Sequence, residues 1–104
     1  MAVGVRVPSG TVTFLFTDIE GSTRLWDTAP AAMGVALERH NIMVRAAIEA
    51  AGGYVFATGG DGFAAAFARA GDGLAAALGA QERLEAEIWP ERTSIRVRMA
   101  LHTR

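Results

Sequence analysis

The sequence predicts an α+β domain with a ferredoxin-like βαββαβ core, an antiparallel four-stranded sheet with helices packed on one face. Three observations predict it. Two short apolar runs flank Gly59-Gly60-Asp61-Gly62, which reads as a tight hairpin. Ser94 to His102 alternates apolar and polar side chains, the period of a half-buried strand. The alanine-rich stretches between strand candidates carry apolar residues at helical spacing. The order strand, helices, strand, strand, helix, strand is complete by His102.

Pro8-Ser9-Gly10 is a turn, and Thr11 to Thr17 is β-branched and aromatic throughout, as a strand should be. Val12, Phe14 and Phe16 share one face of it; Thr11, Thr13, Leu15 and Thr17 share the other. Asp18 to Thr23 breaks this strand. Ser22 or Thr23 is placed to cap a short helix that carries Leu25 and Trp26. Pro30 opens a long helix to about Ala51. Its buried stripe is Met33, Leu37, His40, Val44, Ala47, Ile48 and Ala51, and Gly52-Gly53 ends it. Tyr54 to Thr58 and Phe63 to Phe67 are the hairpin strands. A second helix starts at Gly71-Asp72-Gly73, is expected to bury Leu74, Leu78, Leu84 and Ile88, and stops at Trp89-Pro90. In the last strand Ile95, Val97, Met99 and Leu101 face one way, Arg96 and Arg98 the other.

A chain of 104 residues, 51% hydrophobic, holds one compact domain with a real core. Its net charge of −1 leaves no electrostatic footprint for nucleic acid. No apolar run approaches the ~18 residues of a membrane span, so no membrane insertion is expected. The segment MAVGVRVPSG has no long apolar stretch of a secretion signal. Cysteine is absent, which fits a reducing, cytoplasmic setting and removes thiolate chemistry. All 10 basic residues are arginine. The missing lysine excludes a Walker-type phosphate lysine, a Schiff base and a lysine that reads a purine edge.

Two carboxylates stand out by position. Asp18 ends the first strand and Asp61 sits in the hairpin turn. If the first strand lies beside the hairpin, the two converge at one sheet edge. Hard oxygen ligands with open positions suit Mg²⁺ or Mn²⁺ held together with substrate phosphates. From Ile19 the chain turns at Gly21 and starts a helix, which offers free amides to an anion. Each feature alone is also what a helix cap or a hairpin turn requires. His40 lies in an apolar stripe and reads as a core residue; His102 reads as structural. Arg24, Arg39, Arg45 and Arg69 read as solvated charges, and Trp26 and Trp89 as packing anchors. Neither histidine lies near a plausible nucleophile, so no Ser-His-Asp triad is supported.

Leu15 to Trp26 (LFTDIEGSTRLW) resembles the opening of class III nucleotidyl cyclase catalytic domains, most closely the bacterial, mycobacterial-type members. GGYVFATGGDGF (52–63), FAAAFARAGDGLAAALGAQ (63–81) and IRVRMALHT (95–103) agree with that family in order and spacing. The resemblance implies a palm-like fold and a reaction from ATP, favoured over GTP, to 3′,5′-cyclic nucleotide and pyrophosphate. It implies that Asp18 and Asp61 bind two Mg²⁺ or Mn²⁺ ions with the carbonyl of Ile19, and that amides of Ile19, Glu20, Gly21, Ser22 and Thr23 hold the phosphates. Ala57 falls where the family places a base-reading residue, often lysine, and cannot hydrogen-bond a purine. Arg104 stands where a glycine is usual. The family's ribose-orienting Asn, transition-state Arg and dimerisation arm follow that point. The expectation is therefore a segment 1–10 and a truncated cyclase domain 11–104, monomeric, keeping the metal–triphosphate half-site and inactive or very weak alone. A full-length cyclase domain is its possible partner. The alternative is a non-enzymatic module that binds metal–nucleotide or such a partner. A diguanylate cyclase-like domain is a minor alternative, since GGDGF (59–63) differs from that family's GGDEF signature at Gly62.

Overall fold

In the computed structural model, which describes residues 7–104, the first strand is β1 (Thr13–Ile19). The first six residues of the expected segment 1–10 lie outside the described residues. β1 runs to Ile19 instead of stopping at Thr17, because the last strand, β4 (Val97–Thr103), keeps pairing with it. Asp18 lies opposite Arg98 and Ile19 opposite Val97; beyond them the Glu20 amide donates to the Arg96 carbonyl at 2.8 Å. Asp18 is thus a strand residue, fixed by backbone pairing, and not the start of a loop.

Gly21, left-handed at φ 66°, turns the chain into α1 (Ser22–Thr28). It is the N-cap, and no side chain caps the helix. Ser22 and Thr23 lie inside the first turn, which corrects the capping expectation. Trp26 is exposed rather than an anchor. α2 (Pro30–Ala50) starts at its proline and buries Met33, Ala36, His40, Val44, Ala47 and Ile48. Its end is a Schellman motif: Gly52, at φ 78°, donates to the Glu49 carbonyl at 3.0 Å and Gly53 to the Ile48 carbonyl at 2.9 Å. β2 (Tyr54–Gly59) and β3 (Gly62–Phe67) form the hairpin, with Gly60 and Asp61 at its turn.

α3 (Ala70–Ala86) departs from expectation. Its buried face is Gly73, Ala76, Ala77, Ala80 and Leu84; Leu74 and Leu78 are exposed, and Ile88 lies past the helix end and is exposed too. The reason is close approach. A Cβ at Gly73 would lie 3.0 Å from Thr13 Cγ2 and 3.2 Å from Leu101 Cδ2, so the start of the helix runs too near the sheet for a leucine side chain, while Leu84 fits near its end. Trp89 does anchor the exit: its indole N–H donates to the Leu84 carbonyl at 3.1 Å.

The sheet is antiparallel in the order β2-β3-β1-β4, the ferredoxin-like order. α2 and α3 cover one face, where Leu15, Ile19, Ala65, Phe67 and Val97 are buried with Met33, Val44 and Ile48. The other face carries Phe14, Phe16 and Phe56, the last two 45% and 46% exposed, which makes it an open apolar surface. No helix among the described residues is long and apolar enough to cross a membrane.

His40 is fully buried in α2 beside Phe63; its Nδ1 pairs with Asn41 Oδ1 at 2.9 Å and its Nε2 has no partner. Burial lowers its pKa from 6.5, against opposing pulls from the Asn41 bond and the Asp61 charge. The unfolded chain takes a proton below about pH 6.5 that the folded chain refuses, so stability falls as pH drops through that range. Urea midpoints should decline from about pH 7 to about pH 5, and His40→Leu should flatten that slope. An unchanged slope in the variant would assign the acid sensitivity elsewhere.

Candidate functional site

The site forms where β1 meets the hairpin. Thr17 lies opposite Phe63, so the next positions bring Asp18 beside Gly62 and the Asp61 turn to the end of β1. Two features fix the approach. The Phe63 amide donates to Thr17 Oγ1 at 3.1 Å in a buried bond. At Gly62 a Cβ would sit 2.6 Å from the Thr17 carbonyl oxygen, so the strands pass at a distance only glycine allows. Asp18 and Asp61 therefore share one end of the sheet as expected, at the central pair β1–β3 instead of a lateral edge.

Along β1 the buried positions are Thr13, Leu15, Thr17 and Ile19, so Asp18 stands on the open face with Phe14 and Phe16. There it meets Arg98, which the sequence alone placed only on one face of the last strand. Arg98 donates from Nε to Oδ1 and from Nη2 to Oδ2 of Asp18, both at 2.9 Å. Its hydrogen bond and charge hold the Asp18 carboxyl below its usual pKa. Arg98 is raised in turn, first by its bond to Asp18, with Glu20 and Asp61 adding attraction. The alternation of 94–102 had already put Arg98 on the face opposite Val97; only the strand register, invisible in sequence, puts it against Asp18.

One expected position reads differently in place. The Glu20 amide is spent on the Arg96 carbonyl, so it is not available to an anion. Ser22 and Thr23 lie in the first turn of α1, whose amides have no intrahelical acceptor. Ala57 is exposed on the open face, in one cross-strand row with Ala64, Phe16 and Ala100. It gets there through a bulge: the register shifts between Val55 and Ala57, which leaves Phe56 as the extra residue.

The donor set fits a hard divalent ion. Two carboxylates and the backbone carbonyl of Ile19 would offer oxygen donors, the type Mg²⁺ and Mn²⁺ prefer. Among the described residues no group of three or more His, Cys, Asp or Glu forms a complete cage.

The fold and the placement of the two aspartates define the class, an α+β domain of cyclase type. Residues 5–103 match the adenylate and guanylate cyclase catalytic domain, and the chain belongs to that family. Similar curated proteins include adenylate cyclases of Lachancea kluyveri, 41% identical over 84% of this chain, and of Schizosaccharomyces pombe, 36% over 83%. The chain spans only 5% of each. An uncharacterised protein of Mycobacterium tuberculosis is 42% identical over 92% of this chain and 32% of its own length. Among solved structures, a monomeric adenylate cyclase of Trypanosoma brucei superposes with a TM-score of 0.86 at 26% identity, covering 94% of this chain and 58% of that one. The guanylate cyclase domain of a Catenaria anguillulae protein, solved with GTP, shares the fold with a TM-score of 0.77 at 22% identity over 89% of this chain and 56% of its own.

Proposed function

We propose that residues 11–104 are the metal–triphosphate half of an adenylate cyclase-type catalytic site, working in the cytoplasm where nucleoside triphosphate is available. The observation that carries this is the register that brings Asp18 and the Asp61 turn to one end of the sheet. Asp18, Asp61 and the Ile19 carbonyl hold Mg²⁺ or Mn²⁺. The amides of Gly21, Ser22 and Thr23 face the phosphates, with Ile19 at the start of that turn. The metal ions supply charge stabilisation of the triphosphate and a lowered pKa of the ribose 3′-hydroxyl. The identity to adenylate cyclases supports ATP over GTP. A full-length cyclase domain is the proposed partner of this half-site.

Calorimetry with Mn²⁺ and a non-hydrolysable ATP analogue tests the half-site. Binding is expected, and Asp61→Ala should weaken it about tenfold or more, since even outer-shell groups of metal sites are worth 10- to 100-fold in affinity. Binding that ignores Asp61→Ala would leave the fold and remove the site. The position of Ala57 favours a second reading, a nucleotide-binding module without base selection. A methyl group on the open face offers a purine no hydrogen bond. ATP and GTP analogues of equal affinity, with no turnover even when a full-length cyclase domain is added, would favour it.

A further inference from the structure

Both oxygens of the Asp18 carboxylate are already taken. Arg98 engages them as a fork, Nε on Oδ1 and Nη2 on Oδ2, each at 2.9 Å. Only a planar guanidinium makes this paired contact; an ammonium would sit there as a point charge. The pairing of β1 with β4 sets the two residues directly opposite each other, so the backbone maintains the encounter. Yet the guanidinium is not trapped: the Arg98 side chain is 66% exposed. Glu20 and Asp61 also attract it, so carboxylates other than Asp18 lie within reach of its field.

We propose that Arg98 is a positioning residue that competes with the divalent ion for Asp18. With no ion bound it holds the carboxylate oriented on the open face, and an ion enters only when the guanidinium lets go. This rests on the reading of Asp18 as a metal ligand. Two physical effects act in the same direction. The fork occupies oxygen lone pairs that an ion needs, and a positive group held against the carboxylate repels an incoming cation. The apparent ion affinity is then the intrinsic affinity reduced by the fraction of molecules in which Arg98 has swung away. Removing Arg98 should tighten ion binding, the reverse of what damage to the sheet would do.

The test is a titration of the whole chain with Mn²⁺ alone, read by the paramagnetic signal of the free ion. If the fork is closed about 70–90% of the time, Arg98→Ala binds Mn²⁺ roughly 3- to 10-fold more tightly than the natural chain. Arg98→Gln, which keeps the stem and a polar head, should do the same and guards against a folding defect in the alanine variant. Arg98→Lys keeps the charge without the fork and should fall between the two. Asp18→Asn should abolish the gain whichever residue stands at 98. Unchanged or weaker Mn²⁺ binding in both Arg98→Ala and Arg98→Gln, with Asp18→Asn still losing the ion, overturns the competition and spares the metal site. Natural affinity in Asp18→Asn overturns both.

Discussion

Phe67→Ala should lower the unfolding free energy by about 3–5 kcal/mol, the range for deleting a buried aromatic ring. Phe67 is fully buried at the end of β3, and two glycines make room for its ring. A Cβ at Gly53 would come within 2.7 Å of its Cζ, and one at Gly73 within 3.5 Å of its Cδ1. The slot joins the end of α2, the start of α3 and the sheet, so the cavity left by alanine has walls on three elements and little freedom to collapse. Against a typical total of about 5–15 kcal/mol, this loss brings the domain near the edge of folding. Urea unfolding measures it. Phe16→Ala is the matched control: the ring lies on the open face, 45% exposed, and its removal should cost well under the buried case. Equal losses for the two would mean that the open face is buried in solution.

That contrast locates what the sequence could and could not disclose. The alternation in Thr11–Thr17 separates two faces, but it does not say which one is covered. The phenylalanines, by hydropathy the natural core, face outward, and Thr13, Leu15 and Thr17 go inward. A related inversion occurs on α3, where Leu74 and Leu78 are exposed while Gly73 and three alanines pack beside Leu84. On α3 the close approach to the sheet at Gly73 decides, and that approach is set by residues far apart in the chain. Gly52 and Gly53 look alike as a helix stop, yet only Gly52 needs its left-handed φ; Gly53 is there to admit a ring. Element order, hairpin and the two aspartates were legible because they depend on local pattern and on chain order. Arg98 and the Phe56 bulge were not, because each depends on a register between strands.

Gly62→Glu should lose both stability and metal–nucleotide binding. This is the change that would turn GGDGF into the GGDEF pattern, and the structure gives a physical reason why it does not belong here. Any side chain at 62 begins with a Cβ, and that atom would lie 2.6 Å from the Thr17 carbonyl oxygen, a backbone atom that cannot rotate aside. To admit it, β3 must move away from β1, stretching the buried bond from the Phe63 amide to Thr17 Oγ1. Overpacking of this kind costs about 1–3 kcal/mol, and the unmade buried bond adds about 1–3 kcal/mol more. The shift falls at the residue next to Asp61, so the spacing of the two aspartates changes with it. Gly62→Ala, which carries the same Cβ without new charge, should reproduce most of the effect. Gly59→Ala supplies the control on the other side of the turn, where a Cβ meets nothing within 4 Å and little change is expected. Urea midpoints and Mn²⁺ titration of the three variants decide the matter. A glutamate variant as stable as the natural chain, with Mn²⁺ affinity retained, would show that the close approach of the two strands is not what reserves this position for glycine.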